Sequence, residues 1–217
     1  YAGTYNTEKM IEGGSNTSAV DFFAEITFDT LNTPSLPTTG FYVSATGNGV
    51  VPLEDTDEVP IYDVEELSFK GIVPLGSKFG FMFKGFLGSN YSEDMKERPE
   101  LISIFGFPIA DRSFFPQISA TTEYGLYKMV FGGSLQFCPK DQLTILGGKA
   151  LFAISGAVGN IWMDLNDITF ESPVWRASLD IGIQISNEFG ILLRGGAGKT
   201  RGEIYPFISF DLGKVNF

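Results

Sequence analysis

Histidine is absent from this chain of 217 residues. Without an imidazole, the chain cannot carry out Ser-His-Asp or Cys-His nucleophilic catalysis, and it lacks the usual His-bearing zinc sites. Cysteine occurs once, as Cys138, which excludes an internal disulfide framework and an all-thiolate metal site. We therefore expect no catalytic residue, no metal ion and no cofactor in this chain.

Long apolar runs and an excess of basic residues are missing too. The longest uncharged apolar stretch, Ala150–Val158, contains Ser155 and Gly156 and is far shorter than the roughly 18 to 20 residues of a membrane-spanning helix. The balance of 15 Lys and Arg against 26 Asp and Glu gives a net charge of −11. These features exclude a helical membrane protein and argue against a nucleic-acid partner.

Phenylalanine and glycine are plentiful, at 21 and 26 residues, and apolar side chains recur at every second position of many segments. In Ala177–Ser186, for example, a strand would place Leu179 and Ile181 on one face and Asp180 on the other. The same alternation predicts β-strands at residues 20–30, 40–50, 61–73, 77–89, 123–138, 142–160, 173–186, 189–199 and 203–217.

The lengths of these strands and of their connections indicate an architecture. Soluble strands have about 5 to 6 residues, whereas tilted membrane strands have about 9 to 11 plus extensions, as several do here. Short turns and long loops alternate: the turns are 74–76, 139–141 and 186–188, and the loops are 51–60, 90–122 and 162–172. Outer-membrane barrels have this asymmetry. The sequence thus predicts an all-β fold, an antiparallel transmembrane β-barrel with about nine to ten strands in this chain. A soluble β-sandwich or soluble barrel is the alternative.

Each strand of such a barrel has a lipid-facing side and a lumen-facing side. The alternation assigns a band of apolar residues to lipid, namely Phe79, Phe81, Phe83, Tyr127, Met129, Phe131, Leu179, Ile181 and Ile183. Polar positions, including the carboxylates of Glu25 and Asp29, then line the lumen. A polar lumen is ordinary in these barrels, so the carboxylates do not by themselves indicate acid–base catalysis.

The last two hairpins predict a charge cluster. If Ile185 pairs with Phe189 across a three-residue turn, side-chain parity places Asp180 directly opposite Arg194 on the lumen side. The next hairpin places Asp211 on the same side, level with Arg194 or one diagonal step away. We predict that the Asp180–Arg194–Asp211 cluster fixes the register of the last three strands, with about 1 kcal/mol or less per pair in a wet lumen.

Strand direction bears on the first residues of the chain. Because the short turn 186–188 lies on the periplasmic side, the strand after it runs outward and the last strand runs toward the periplasm. Counting back through nine alternating strands gives strand 20–30 the same direction. We therefore expect residues 1–19 to hold the remnant of a preceding, outward-running strand and an outer loop. Residues 20–217 then form the barrel region, which the rest of the chain or a second copy completes to a barrel of up to about 16 strands.

A resemblance to a known family rests on four segments taken in order. They are 28–40 with Pro37 and Gly40, Ser155–Trp162, Trp175–Leu193, and the closing Phe210–Phe217 with Phe210, Gly213 and Phe217. Together they resemble the C-terminal barrel of the outer-membrane assembly-factor superfamily, the BamA and TamA group, also called bacterial surface antigens. The resemblance implies that the closing segment is the signal read by the outer-membrane assembly machinery.

One loop departs from the family pattern. The long loop of the family carries a Val-Arg-Gly-Phe tip that folds back into the lumen, whereas loop 90–122 contains Phe105–Arg112, with Arg112 as the candidate substitute. This departure favours a divergent branch, such as the barrel attached to patatin-like phospholipases. In that branch the lipase would occupy a separate upstream domain.

Three functions remain open. The chain anchors or exports an attached module such as a patatin-like lipase, it assembles or translocates other proteins, or it is a small stand-alone pore or structural barrel. All three imply the bacterial outer membrane of a Gram-negative cell as the location. The expected partners are outer-membrane lipid and, during insertion, the assembly machinery.

Overall fold

A computed structural model describes residues 2–6, 19–31, 39–52, 62–91, 102, 106–109, 114–115, 123–137, 144–145, 147–186, 189–200 and 202–213. Thirteen β-strands lie within these residues. In chain order they are β1 (Ala2–Asn6), β2 (Ala19–Asp29), β3 (Gly40–Pro52), β4 (Tyr62–Pro74), β5 (Phe79–Asn90), β6 (Phe107–Pro108), β7 (Tyr124–Gly125), β8 (Tyr127–Phe137), β9 (Thr144–Ile145), β10 (Gly148–Trp162), β11 (Val174–Gln184), β12 (Gly190–Thr200) and β13 (Glu203–Gly213). A 3-10 turn spans Leu165–Asp167. Within the same residues, no helix is long and apolar enough to cross a membrane.

Most strands lie close to their predicted positions, but two predicted strands are wrong as single elements. The predicted strand 123–138 divides, because β7 pairs with β6 while β8 begins at Tyr127 and pairs with β5. The predicted strand 142–160 divides into β9 and β10, which form a tight hairpin. Gly147 in that turn has a φ of +80°, a left-handed conformation that favours glycine. Apolar alternation alone does not reveal such short reversals.

The long strands form an antiparallel meander. Each one pairs with the next along the chain in the order β1-β2-β3-β4-β5-β8-β10-β11-β12-β13, while β9 pairs with β10 beside this path. Among the described strands, β1 and β13 are the two edges, and the sheet is not closed into a barrel. The predicted all-β antiparallel fold is thus confirmed. Barrel closure and membrane insertion remain predictions.

The strand at the beginning of the chain extends this meander by one. β1 pairs antiparallel with β2, with Ala2 opposite Ala24. It lies inside the segment that the strand count assigned to an outward-running strand. Because strand directions alternate along the path, β1 and β13 run in opposite directions.

Directly opposite residues share a face, so the registers sort the long strands onto two faces. We call the face that carries Asp180 and Arg194 the inner face. It also carries Glu25, Thr27, Ser44, Thr46, Glu66, Ser68, Lys70, Lys84, Lys128, Ser134, Gln136, Ser155, Arg176, Ser178, Ser209 and Asp211. The opposite, outer face carries exposed apolar residues: Phe22, Ile26, Phe28, Phe41, Val73, Phe79, Phe81, Phe131, Leu135, Ile154, Val158, Leu179, Ile181, Leu193, Ile204, Ile208, Phe210 and Leu212.

The residues predicted to face lipid all lie on the outer face by register. Tyr127 differs from the others because it is only 6% exposed. It belongs to a buried cluster with Ile102, Leu126 and Trp162, so neighbouring protein side chains cover most of its surface. The prediction that Tyr127 faces lipid is therefore wrong, because connecting segments that local alternation cannot place pack over it.

Two apolar clusters enclose the middle of the inner face. One lies toward the short turns and consists of Ile72, Met82, Leu151, Ala153 and Leu192. The other lies toward the long loops and contains Ile109, Phe114, Phe115, Val130, Ala157 and Val174. Three residues of the second cluster come from the loop between β5 and β8, so this loop folds back onto the inner face. Polar residues between the clusters are thereby shielded from water.

Candidate functional site

The hairpin of β11 and β12 positions the first two residues of the site. Asp180 lies directly opposite Arg194. This is the register that side-chain parity gives for a hairpin closed at Ile185 and Phe189, and the amide of Ile185 does donate a hydrogen bond to the carbonyl of Phe189, at 3.0 Å. The Nε of Arg194 lies 3.7 Å from a carboxylate oxygen of Asp180. The two charges therefore form an ion pair on the inner face.

Asp211 joins this pair from the edge strand. Ser209 is the residue directly opposite Arg194 in β13, so Asp211 is one diagonal step away on the same face. The Nη1 of Arg194 donates to Oδ2 of Asp211 at 3.0 Å. The side chain of Asp211 is 40% exposed, whereas that of Arg194 is 2% exposed. The structure thus brings all three predicted cluster residues together, in two very different environments.

Two serines complete the coordination of Asp180, and sequence reasoning missed both. Ser155 of β10 donates to one carboxylate oxygen at 2.5 Å, and Ser178 of β11 donates to the other at 2.6 Å. Charge-assisted hydrogen bonds of this length are the stronger kind. The alternation Arg176-Ala-Ser178-Leu-Asp180 could have indicated the β11 members. Ser155 could not be assigned, because its contact depends on the β10–β11 register across a long connection.

A second arginine binds the same serines. The Nη1 of Arg176 lies 2.8 Å from Oγ of Ser155 and 2.6 Å from Oγ of Ser178. Arg176 and Asp180 are both buried, at 3% and 1% exposure. The expectation of a wet lumen is therefore wrong for this network, which lies in a dry interior where ion pairs are less screened and unpaired charges are more unfavourable.

The long loop is held to the inner face by two cations. The Nε of Arg176 donates to the backbone carbonyl of Phe114, and the ammonium of Lys84 lies 4.7 Å from the centre of the Phe114 ring. Lys84, Gly132, Ala157 and Arg176 form one row across β5, β8, β10 and β11. Because the two middle residues are small, Phe114 can sit between the two cations.

Phe107 makes a further contact of this loop with the inner face. Its ring lies so close to Gly88 that an added Cβ would approach the ring to 2.6 Å. It also packs edge-on against Phe86, with ring centres 5.9 Å apart. The loop is thus seated through aromatic residues. Arg112, the predicted tip residue, lies outside the described residues.

The remaining predicted residues are distributed along the strands. Gly40 begins β3 with a φ of +117°, and an added Cβ would lie 2.4 Å from the carbonyl oxygen of Thr30, so this tight re-entry requires glycine. Phe210 is 59% exposed on the outer face, and Gly213 ends β13. Pro37 and Phe217 lie outside the described residues.

The acidic residues of β2 have ordinary partners. Glu25 accepts hydrogen bonds from Thr27 at 3.1 Å and from Ser44 at 3.4 Å, and Asp29 accepts one from the amide of Leu31 at 2.8 Å. Nowhere in the described part of the chain do three or more His, Cys, Asp or Glu side chains group closely enough to hold a metal ion. These contacts fix strand ends and register.

The described strands thus form an antiparallel meander whose inner face carries a buried charge network and whose outer face exposes apolar side chains. No protein-family model matches the chain. A comparison with curated proteins likewise finds no match.

Proposed function

We propose that this chain is the membrane-embedded β-barrel region of a bacterial outer-membrane protein, and that it anchors or exports an attached module. The observation that carries the proposal is the inverted distribution of side chains. Leu179 is 66% exposed on the outer face, while the neighbouring Ser178 and Asp180 are 5% and 1% exposed. Exposed apolar patches of this extent are rare on soluble monomers and are stable in lipid.

Strand length and direction support the same proposal. β10 has 15 residues and β11, β12 and β13 have 11 each, enough for tilted strands to cross a bilayer. The edges β1 and β13 run in opposite directions, so an antiparallel closure is possible with further strands of the same chain, with a second copy or directly. Closure would also remove the exposed edges, which are otherwise prone to aggregation.

The seated loop favours an anchor over an open pore. Phe107, Phe114 and Phe115 are at most 5% exposed and occupy the inner face, where an open pore would hold water. The attached module is a further part of the proposal and comes from the family resemblance. A Gly-x-Ser-x-Gly lipase sequence encoded upstream of Tyr1 would support a patatin-like module, whereas repeated periplasmic domains would support an assembly factor instead.

Spin labelling tests the membrane assignment. In a Cys138→Ser background, cysteines at Leu179 and Ile181 should carry labels that collide with oxygen dissolved in lipid. A label at Gln184, on the inner face of the same strand, is the control and should collide less with oxygen. Outer-face labels that collide mainly with a water-soluble nickel complex would overturn the proposal.

Conductance tests the choice between anchor and pore. Single barrels in planar bilayers should conduct weakly, and replacement of residues 92–122 by a short Gly-Ser linker should raise the conductance several-fold. Equal conductance of the two proteins would contradict the role assigned to the loop.

A further inference from the structure

A groove of about 580 Å³ crosses the outer face near the long loops. Its floor is one transverse row of directly opposite residues on β2, β3, β4, β5, β8 and β10. In strand order the row is Ala24, Gly47, Glu65, Ser89, Tyr127 and Trp162. The volume is in the range of about 300 to 1,000 Å³ that is typical of sites for small ligands.

The groove exists because small residues lie beside bulky ones. Ala24, Gly47 and Ser89 are small, whereas the adjacent outer-face row contributes Leu67 and Leu87 as a wall. A Cβ added to Gly47 would meet no atom within 4 Å, so the space above this glycine is open. The groove is therefore a real depression and not a gap that a neighbouring side chain fills.

The connection between β10 and β11 forms one end of the groove. Leu165 and Ile168 of this connection line the groove and are 49% and 39% exposed. At the same end, exposed Tyr91 packs on Tyr127, with ring centres 6.1 Å apart. Aromatic residues collect where a barrel meets the lipid headgroups. If the chain spans a membrane as proposed above, the groove lies at headgroup level.

Glu65 contributes a carboxylate to this mainly apolar groove from the outer face, whereas Glu66 and Lys128, which also line it, are inner-face positions by register. Glu65 is exposed, and within the described residues its side chain forms no hydrogen bond or ion pair. A carboxylate at headgroup level repels anionic phosphates and attracts a cationic amine. A primary ammonium can also donate hydrogen bonds to it, which a quaternary ammonium cannot.

We infer that this groove binds an amine-bearing phospholipid of the phosphatidylethanolamine type. The ammonium group pairs with Glu65, the glycerol region occupies the space above Gly47, and the acyl chains extend over Leu67 and Leu87. This inference rests on the proposed membrane function. Charge selects the amine-bearing lipid over phosphatidylglycerol and over the phosphorylated lipid of the outer leaflet.

Native mass spectrometry of the detergent-purified protein tests the inference. After incubation with equal amounts of phosphatidylethanolamine, phosphatidylglycerol and phosphatidylcholine, the ethanolamine lipid should be retained roughly tenfold more than the other two, as expected for one charge-assisted contact. Glu65→Gln should abolish this preference. The matched control is Asp63→Asn, because Asp63 lies on the same strand and face but outside the groove, and it should retain the preference.

A second variant separates charge from shape. Gly47→Leu fills the open space without meeting a protein atom, so it should reduce retention of the ethanolamine lipid while the variant still folds. An unchanged preference in Glu65→Gln, equal retention of phosphatidylglycerol, or, in a parallel incubation with lipid A, stronger retention of lipid A than of the ethanolamine lipid would each overturn the inference.

Flotation with vesicles distinguishes failure of the lipid site from failure of the proposed membrane function. The wild type and all three variants should float with phosphatidylcholine vesicles, because insertion depends on the whole outer face. Flotation without any lipid preference would overturn the lipid site alone. Failure of the wild type to float with vesicles of any composition would overturn both the lipid site and the proposed membrane function.

Discussion

The two faces of β11 differ sharply in burial and in polarity. Asp180 is 1% exposed and is bound by Ser155, Ser178 and Arg194. The next residue along the strand, Ile181, lies on the opposite face and is 37% exposed. In a soluble sheet the apolar face would be covered and the charged face would be wet. This inverted distribution supports the proposed membrane location, and on the inner face the buried charges are held by polar contacts between the two apolar clusters.

A second difference lies within the inner face itself. Arg194 contacts two carboxylates, but Asp180 is dry while the side chain of Asp211 is 40% exposed on the edge strand. A buried ion pair is strongly destabilised when one partner is removed, whereas an exposed pair contributes little. Removing Arg194 should therefore lower the stability of the folded protein more than removing the charge of Asp211.

The largest expected effect comes from Arg194→Met. It leaves the buried charge of Asp180 without its nearest cation and should destabilise the folded protein by about 3 to 5 kcal/mol. Asp211→Asn, which affects the exposed pair, should lower the stability by about 1 kcal/mol or less. The measurement is the urea midpoint of the protein folded in lipid vesicles. Similar midpoints for the two variants would show that the inner network is not dry.

A charge on the outer face should have the next largest effect. Ile181→Arg places a guanidinium near the middle of β11 and should lower the stability by about 2 to 4 kcal/mol in a bilayer. Ile204→Arg places the same group at the beginning of β13, close to the predicted interface, where about 0 to 1 kcal/mol is expected. Equal urea midpoints of the two variants in vesicles would contradict the prediction that Ile181 lies deeper in the bilayer than Ile204.

Aromatic rings pack directly over glycines on the outer face, so enlarging such a glycine should have a smaller but measurable effect. A Cβ on Gly85 would lie 2.3 Å from the ring of Phe69, so Gly85→Ala must displace that ring and should lower the stability by about 1 to 3 kcal/mol. Gly195→Ala is the control, because no atom lies within 4 Å of its added Cβ. A control variant as unstable as Gly85→Ala in the same urea titration would point to strand propensity rather than ring displacement.

The smallest effect concerns the seat of the loop. Lys84→Met removes the cation that lies over Phe114 and should weaken loop docking by about 0.5 to 2 kcal/mol. The readout is the rate of limited proteolysis within residues 92–122, which should rise several-fold while the urea midpoint stays nearly constant. Lys199→Met, on the outer face of β12, should leave the rate unchanged. Equal proteolysis rates of the two variants would show that Arg176 and the apolar contacts hold the loop in place without Lys84.

Much of this arrangement follows from short-range rules. The period-2 alternation of β11 needs only a dozen residues of sequence, and the Asp180–Arg194 pairing needs only the parity of one tight hairpin. Asp211 follows from the next hairpin by the same rule. Gly40 is also readable, because a glycine after a proline-containing turn indicates a conformation that other residues avoid.

Other contacts depend on segments that are far apart in the sequence. Ser155 reaches Asp180 only because β10 and β11 adopt one register across the connection that contains Leu165. Phe114 reaches Arg176 from a loop 62 residues earlier in the chain. No local sequence pattern predicts either contact. Because the entropy cost of closing a loop changes only slowly with its length, loop length does not predict them either.

Residue alternation along the chain was enough to predict most of the long strands, their two faces and the register of the last hairpins, because these follow from backbone geometry between near neighbours. The burial of Asp180 and of the two arginines, the cover that the long loop gives them, the burial of Tyr127 and the groove at Glu65 emerged from the folded chain. Burial and open space depend on which distant side chains meet. They are properties of packing, and the alternation of residues along one strand does not contain them.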